Sequence, residues 1–171
     1  MTAVLGLDLS LSATGVAAPD GTTSTIKTRD RDGDRRLAQI RDTIAGLCGG
    51  ADLAVVEDLP THAYSAGITG MVHGAVRVAL LDAGVPYALV TPATLKKYAT
   101  GNGGAKKSGM VLAAYKRFGV DFADEDQCDA FWLRAAGLDQ VGEPLAVLPA
   151  AQRALLGKAR WPHMAVAKAI A

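Results

Sequence analysis

The sequence predicts one α/β domain: a mixed five-stranded sheet, antiparallel at its start, flanked by helices on both faces. Three observations lead there. Short apolar runs fall at 3–10, 14–18 and 22–28, with the turn signal Pro19-Asp20-Gly21 between the last two. Two later apolar runs, 52–58 and 86–90, alternate with segments of helical periodicity. The chain has 171 residues, half of them apolar and a fifth charged, enough for one substantial core.

Each element has a local reason. The first three runs form a meander. The charged stretch 29–36 is a loop leading into a helix whose apolar stripe is Leu37, Ile40, Ile44 and Leu47, stopped by Gly49-Gly50. Pro60 ends the fourth strand, and a second helix is expected over 64–83. After the fifth strand, Pro92 suits the first position of a short helix. Residues 100–105 (Thr-Gly-Asn-Gly-Gly-Ala) form a flexible loop. Helices follow over 106–118 and 124–138, the latter capped by Asp124. A domain over 1–142 and a basic tail over 143–171 complete the division, the tail packed on or appended to the same domain.

The net charge of +1 conceals segregation. Positions 91–119 hold six cations (Lys96, Lys97, Lys106, Lys107, Lys116, Arg117) and no acid. Asp121, Asp124, Glu125, Asp126 and Asp129 follow at once. From position 150 on, Arg153, Lys158, Arg160 and Lys168 again have no acidic neighbour. Cys48 and Cys128 lack metal-ligand spacing, the N-terminus enters a strand directly, and no apolar run spans a bilayer. A reduced, cytoplasmic protein without a signal peptide or a membrane partner is expected.

Four acids carry the chemistry. Asp8 interrupts the apolar run Val4-Leu5-Gly6-Leu7, and Glu57 ends the run Leu53-Ala54-Val55-Val56. A charge in a strand that should be buried is expensive unless paired. Asp126 and Asp129, three apart, share one face of a helix. Together they suit a carboxylate nest for Mg²⁺ or Mn²⁺. Taken singly, Asp8 could cap a loop, Glu57 could be solvated, and the late acids could complement a helix dipole. The lysines flanking the glycines form either a solvated face or a track for a DNA backbone leading to the acids.

The order of elements and these acids resemble the RNase H-like fold, and within it the RuvC-type Holliday junction resolvases. The matching stretches are Gly6-Leu7-Asp8-Leu9-Ser10 with Thr14-Gly15, Val55-Val56-Glu57, the run from Gly101 through Asn102-Gly103-Gly104-Ala105-Lys106-Lys107 to Ser108, and Asp126-Gln127-Cys128-Asp129-Ala130. The resemblance implies Asp8, Glu57, Asp126 and Asp129 as catalytic metal ligands for two Mg²⁺, with Mn²⁺ able to substitute. It implies Lys107 as a basic catalytic residue; Lys96, Lys97, Gly103, Gly104, Lys106 and Lys107 are expected as DNA contacts from their position around the glycine loop beside the acids. It also implies a homodimer interface on the second helix, at Gly70, Met71, Gly74 and Arg77; tight packing within one chain is the alternative there.

The segment after Glu57 departs from the cellular members. It carries His62 and Tyr64 but no lysine, which resembles compact phage-type members and would place the protein in a host cytoplasm. In the tail, Trp161 is an anchor to the core or a base-stacking wedge, and the cations are a second DNA contact or part of a packed amphipathic helix. His73 is expected to be packed or at an interface, Cys128 to face the core, and Asp58, Asp82 and Asp121 to be surface charges. The implied function is a metal-dependent endonuclease that resolves four-way junctions and related branched DNA. The alternatives are an RNase H-fold nuclease acting on RNA–DNA hybrids or flaps, and a nucleotide-binding protein of the actin and sugar-kinase type.

Overall fold

The computed structural model describes residues 1–59 and 66–162. Its strands are β1 (Val4–Asp8), β2 (Ala13–Ala17), β3 (Thr23–Lys27), β4 (Leu53–Glu57) and β5 (Tyr87–Val90). Its main helices are α1 (Arg35–Leu47), α2 (Ala66–Asp82), α3 (Pro92–Thr100), α4 (Lys107–Phe118) and α5 (Glu125–Gln140). The five strands match the expected ones, with ends shifted by no more than two residues. The expected second helix starts at Ala66 among the described residues. His62, Tyr64, His163 and Lys168 lie outside them.

The sheet order is β3-β2-β1-β4-β5. β1, β2 and β3 pair antiparallel; β4 pairs parallel with both β1 and β5. β1 and β4 therefore sit at the centre with both faces covered, which is why they are nearly continuous apolar runs.

Strand alternation sorts their side chains. Leu5, Leu7, Ala54 and Val56 join one core with Ile40 and Ile44 of α1 and Val72, Val76 and Leu80 of α2. Val4, Leu53 and Val55 join the opposite core with Leu95, Met110, Phe131 and Trp132 from α3, α4 and α5. By the same alternation Asp8 and Glu57 fall on the second face, the one α5 covers.

α5 is buried from Cys128 through Asp139 and lies on the central strands. Two glycines let it come so close. A Cβ on Gly6 would overlap the Ala130 carbonyl and stand 2.7 Å from the Arg134 nitrogen. A Cβ on Gly15 would overlap the Asp126 carbonyl oxygen and stand 2.5 Å from its carbon. Both obstacles are helix backbone, which cannot swing aside. The two glycines set the depth at which the acidic end of α5 rests on β1 and β2.

The C-terminal segment closes the second core. Leu148 and Leu156 are buried in it, and Trp161 packs against it while its Nε1 donates to the Leu156 carbonyl at 2.7 Å. Trp161 is thus the anchor rather than the wedge. Arg153 pairs with the buried Asp139 carboxylate at 2.6 Å, which also accepts from the Tyr98 hydroxyl at 3.1 Å. Among the described residues this segment forms a four-residue helix (Ala150–Arg153) and a 3₁₀ turn (Ala154–Lys158). No helix of the described residues is long and apolar enough to cross a membrane.

Candidate active site

β1 and β4 are in parallel register through Leu7 and Val56, so the next residues, Asp8 and Glu57, emerge side by side. Both sit at the C-terminal ends of central strands, on the face that receives the first turns of α5. Asp124 caps that helix, its side chain accepting from the Gln127 N–H at 3.0 Å. The same carboxylate accepts from the Thr25 hydroxyl at 2.6 Å, and the Gln127 side-chain amide donates to Thr25 at 3.2 Å. The edge strand β3 thereby ties down the helix turn that carries Asp126 and Asp129. Sequence reasoning anticipated the cap but missed the tie to Thr25, whose only signal is a threonine on the polar side of an edge strand.

The carboxyl groups perturb one another strongly. Burial, then repulsion from Asp129 and Asp126, raises the pKa of Asp8 from 3.8 to about 7. Burial, then repulsion from Asp8 and Asp129, holds Glu57 well above its ordinary value. The Asp8 and Glu57 carboxyls also act on each other directly, lowering the pKa of the first and raising that of the second. Burial likewise lifts Asp129 to about 6, against the opposing pull of Lys107 and Lys96. An acid cluster this reluctant to ionise is poised to gain from a multivalent cation.

Lys107, at the first position of α4, reaches into the cluster. Its Nζ lies 3.3 Å from Asp126 Oδ1 and 3.6 Å from Glu125 Oε2. Partial burial favours the neutral amine, but Asp126, Asp129 and Asp8 outweigh it and raise the lysine's pKa. Lys96 also acts on Glu57 and Asp129 electrostatically. Sequence reasoning gave Lys96 only to the DNA track. The clue was that α3 begins directly after Val90, which pairs with Glu57.

Among the described residues, no three acidic, histidine or cysteine side chains form a ready-made metal cage. The chemistry of the donor set nevertheless fits a hard divalent cation: the donors are carboxylate oxygens, and their negative charge exceeds what Lys107 and Lys96 balance. His73 is buried; burial, then the charge of Arg77, lowers its pKa to about 4. Cys128 is fully buried, as expected.

Other expected residues divide. Lys97 packs beside Gly103, where a Cβ would meet its Cε at 2.8 Å. Gly104 donates its N–H to Asn102 Oδ1 at 3.0 Å, folding the glycine loop into a turn, and Lys106 is exposed at the start of α4. Arg117 is drawn inward, donating to the Ala99 carbonyl and lying 5.9 Å from the Trp132 ring. On α2, Met71 and Gly74 are on the exposed face, whereas Gly70 and Arg77 turn partly toward their own chain. Asp58, expected on the surface, is instead largely covered and paired with Arg160 at 2.6 Å and Arg77 at 3.8 Å.

The same architecture occurs in known proteins. The RuvC structure from Thermus thermophilus superposes with a TM-score of 0.65 at 21% identity, covering 84% of this chain and 99% of that one. The T. thermophilus RuvC in complex with a Holliday junction substrate gives 0.67 at 23% identity, covering 84% and 98%. This is a RuvC-type, RNase H-like fold. The crossover junction endodeoxyribonuclease RuvC of Rhodopirellula baltica is 28% identical over 83% of this chain and 89% of its own length. No family model matches the chain. The RuvC-type likeness extends over most of the length of these relatives.

Proposed function

We propose that the chain is a metal-dependent, structure-selective DNA endonuclease that resolves four-way junctions and related branched DNA as a homodimer. The observation that supports this reading is the mutual electrostatic perturbation of Asp8, Glu57 and Asp129, with Asp126 acting on Asp8 and paired to Lys107, within a fold shared with RuvC.

The four acids would hold two Mg²⁺, or Mn²⁺ in their place. Bound there, divalent cations supply an activated water and neutralise charge on the phosphate and the leaving 3′-oxygen. The chain's own residues do the rest. Asp8, between Glu57 and α5, is the group placed to serve both sides of the cluster. Glu57, whose pKa is held well above its ordinary value by burial and by Asp8, would serve as a carboxylate ligand. Asp126 and Asp129 move as a unit, since Asp124 and Thr25 fix their helix turn. Lys107, 3.3 Å from Asp126 in this structure, would steady negative charge on the phosphate through its ammonium. Lys96, Lys97 and Lys106 with the turn around Gly103 and Gly104 line the approach for the backbone. Products are nicks with 5′-phosphate and 3′-hydroxyl ends.

The outer face of α2 supports the dimer. Gly67, Met71, Gly74, Val78 and Leu81 are exposed at alternating spacings of four and three, the repeat of a helix–helix seam. Met71, Val78 and Leu81 expose 46%, 52% and 65% of their surface, costly to leave in water side by side. A two-fold axis along this seam presents two identical sites to a symmetric junction.

The test is cleavage of an immobile four-way junction, a matched linear duplex and an RNA–DNA hybrid, with Mg²⁺ or Mn²⁺. Paired nicks confined to branched DNA are expected. Cleavage of the hybrid alone would move the function to an RNase H-type activity.

A further inference from the structure

Glu57 is crowded by like charges at the last rung of β4, and the chain leaves the sheet just beyond it. What holds that strand end in place is Asp58. Its N–H donates to the Val90 carbonyl at 2.8 Å, adding one rung past the strand. Its carboxylate accepts from Arg160 at 2.6 Å and lies 3.8 Å from Arg77. The two arginines come from different places. Arg77 projects from α2, with its guanidinium 5.8 Å from the Tyr87 ring at the start of β5. Arg160 belongs to the C-terminal segment, where its N–H and carbonyl pair with Leu89 in both directions at 3.1 Å.

We infer that Arg160 and Arg77 are positioning residues for Glu57, acting through Asp58, so that the C-terminal segment is part of the active-site scaffold. This rests on the metal-nuclease reading above and deepens it. Isolated surface ion pairs contribute little, because two mobile side chains must be ordered. Here the ordering is largely done beforehand. The Arg160 backbone is fixed by its pairing with Leu89 of β5, its side chain is 71% exposed, and the Asp58 side chain it reaches is only 16% exposed. The covalent link makes the consequence local: any slack at Asp58 passes directly to Glu57, and less to Asp8 or Asp129, which are held by β1 and α5. A ligand set loosened at one of its members binds its ion more weakly.

The experiment is Mn²⁺ titration of the full chain by calorimetry, together with its thermal unfolding midpoint, for the parent, Arg160→Gln, Arg160→Lys, Arg77→Gln and Asp58→Asn. Arg160→Gln, Arg77→Gln and Asp58→Asn are expected to weaken Mn²⁺ binding three- to ten-fold while the proteins remain folded at the titration temperature. Arg160→Lys should recover most of the affinity. Unchanged Mn²⁺ affinity in folded variants, with only the unfolding midpoint lowered, overturns the inference and leaves the node a structural clamp. A parent that binds no Mn²⁺ overturns the metal reading itself, and this inference falls with it.

Discussion

Replacing Asp8 by Asn removes one buried charge and leaves the shape and a hydrogen-bonding group for Glu57. In the folded, metal-free protein Asp8 keeps its proton up to about pH 7, while in the unfolded chain it ionises near 3.8. The folded state therefore holds a proton that the unfolded state has released. Stability from this group is fully present below pH 4 and is lost as pH rises toward and through 7. At about 1.4 kcal/mol per pH unit the full shift bounds the loss at about 4 kcal/mol. Asp8 keeps some contact with solvent, and screening brings the expected loss to roughly 2 kcal/mol. Asn cannot ionise, so Asp8→Asn should be more stable than the parent by about that amount at pH 8 in EDTA, and by under ~1 kcal/mol at pH 5. Urea denaturation at the two pH values measures both differences. Mg²⁺ should stabilise the parent far more than the variant. A variant no more stable than the parent at pH 8, or a gap that does not shrink on acidification, refutes the reasoning, because the acids would then not be mutually repelling in the fold.

Three further outcomes follow from the same structure. Gly15→Ala places a methyl against the Asp126 backbone; it should cost about 1–3 kcal/mol in thermal unfolding and lower cleavage at least ten-fold by shifting the end of α5, and full activity would show that the helix tolerates displacement. Lys107→Ala should cut the cleavage rate on branched DNA by about 10²–10³-fold with little change in junction affinity in a gel-shift assay, and a loss of affinity alone would make Lys107 a mere backbone contact. Met71→Asp puts a charge in the α2 seam and should shift sedimentation from dimer to monomer with the circular dichroism spectrum intact; an unchanged sedimentation coefficient would move the interface elsewhere.

The legible parts of this molecule are those where one physical demand dominates. A charge inside an apolar strand needs a partner, and that marked Asp8 and Glu57 before any fold was known. Proline and glycine punctuation placed α3 after Pro92 and the turn at Pro19-Asp20-Gly21. The sheet followed from β-meander and helix–strand alternation. What stayed hidden depends on contacts between distant segments. Asp58 looked like surface charge because nothing nearby in sequence announces Arg160, 102 residues away. Lys96 looked like a DNA contact because its closeness to Glu57 arises from β4–β5 pairing. Gly6 and Gly15 appeared as motif letters; that they make room for helix backbone is visible only once α5 lies on the sheet. The α2 interface was expected at Gly70, Met71, Gly74 and Arg77; Met71 and Gly74 do lie on the exposed face, which continues through Val78 and Leu81, while Arg77 turns toward Asp58.

The central claim is that Asp8, Glu57, Asp126 and Asp129 form one centre for divalent cations. Crystals soaked in Mn²⁺ and recorded at a wavelength where manganese scatters anomalously test it directly. Two anomalous peaks per chain are expected among these four carboxylates, both absent in Asp8→Asn. Peaks elsewhere on the surface, or none at Mn²⁺ concentrations that occupy other sites, would contradict it.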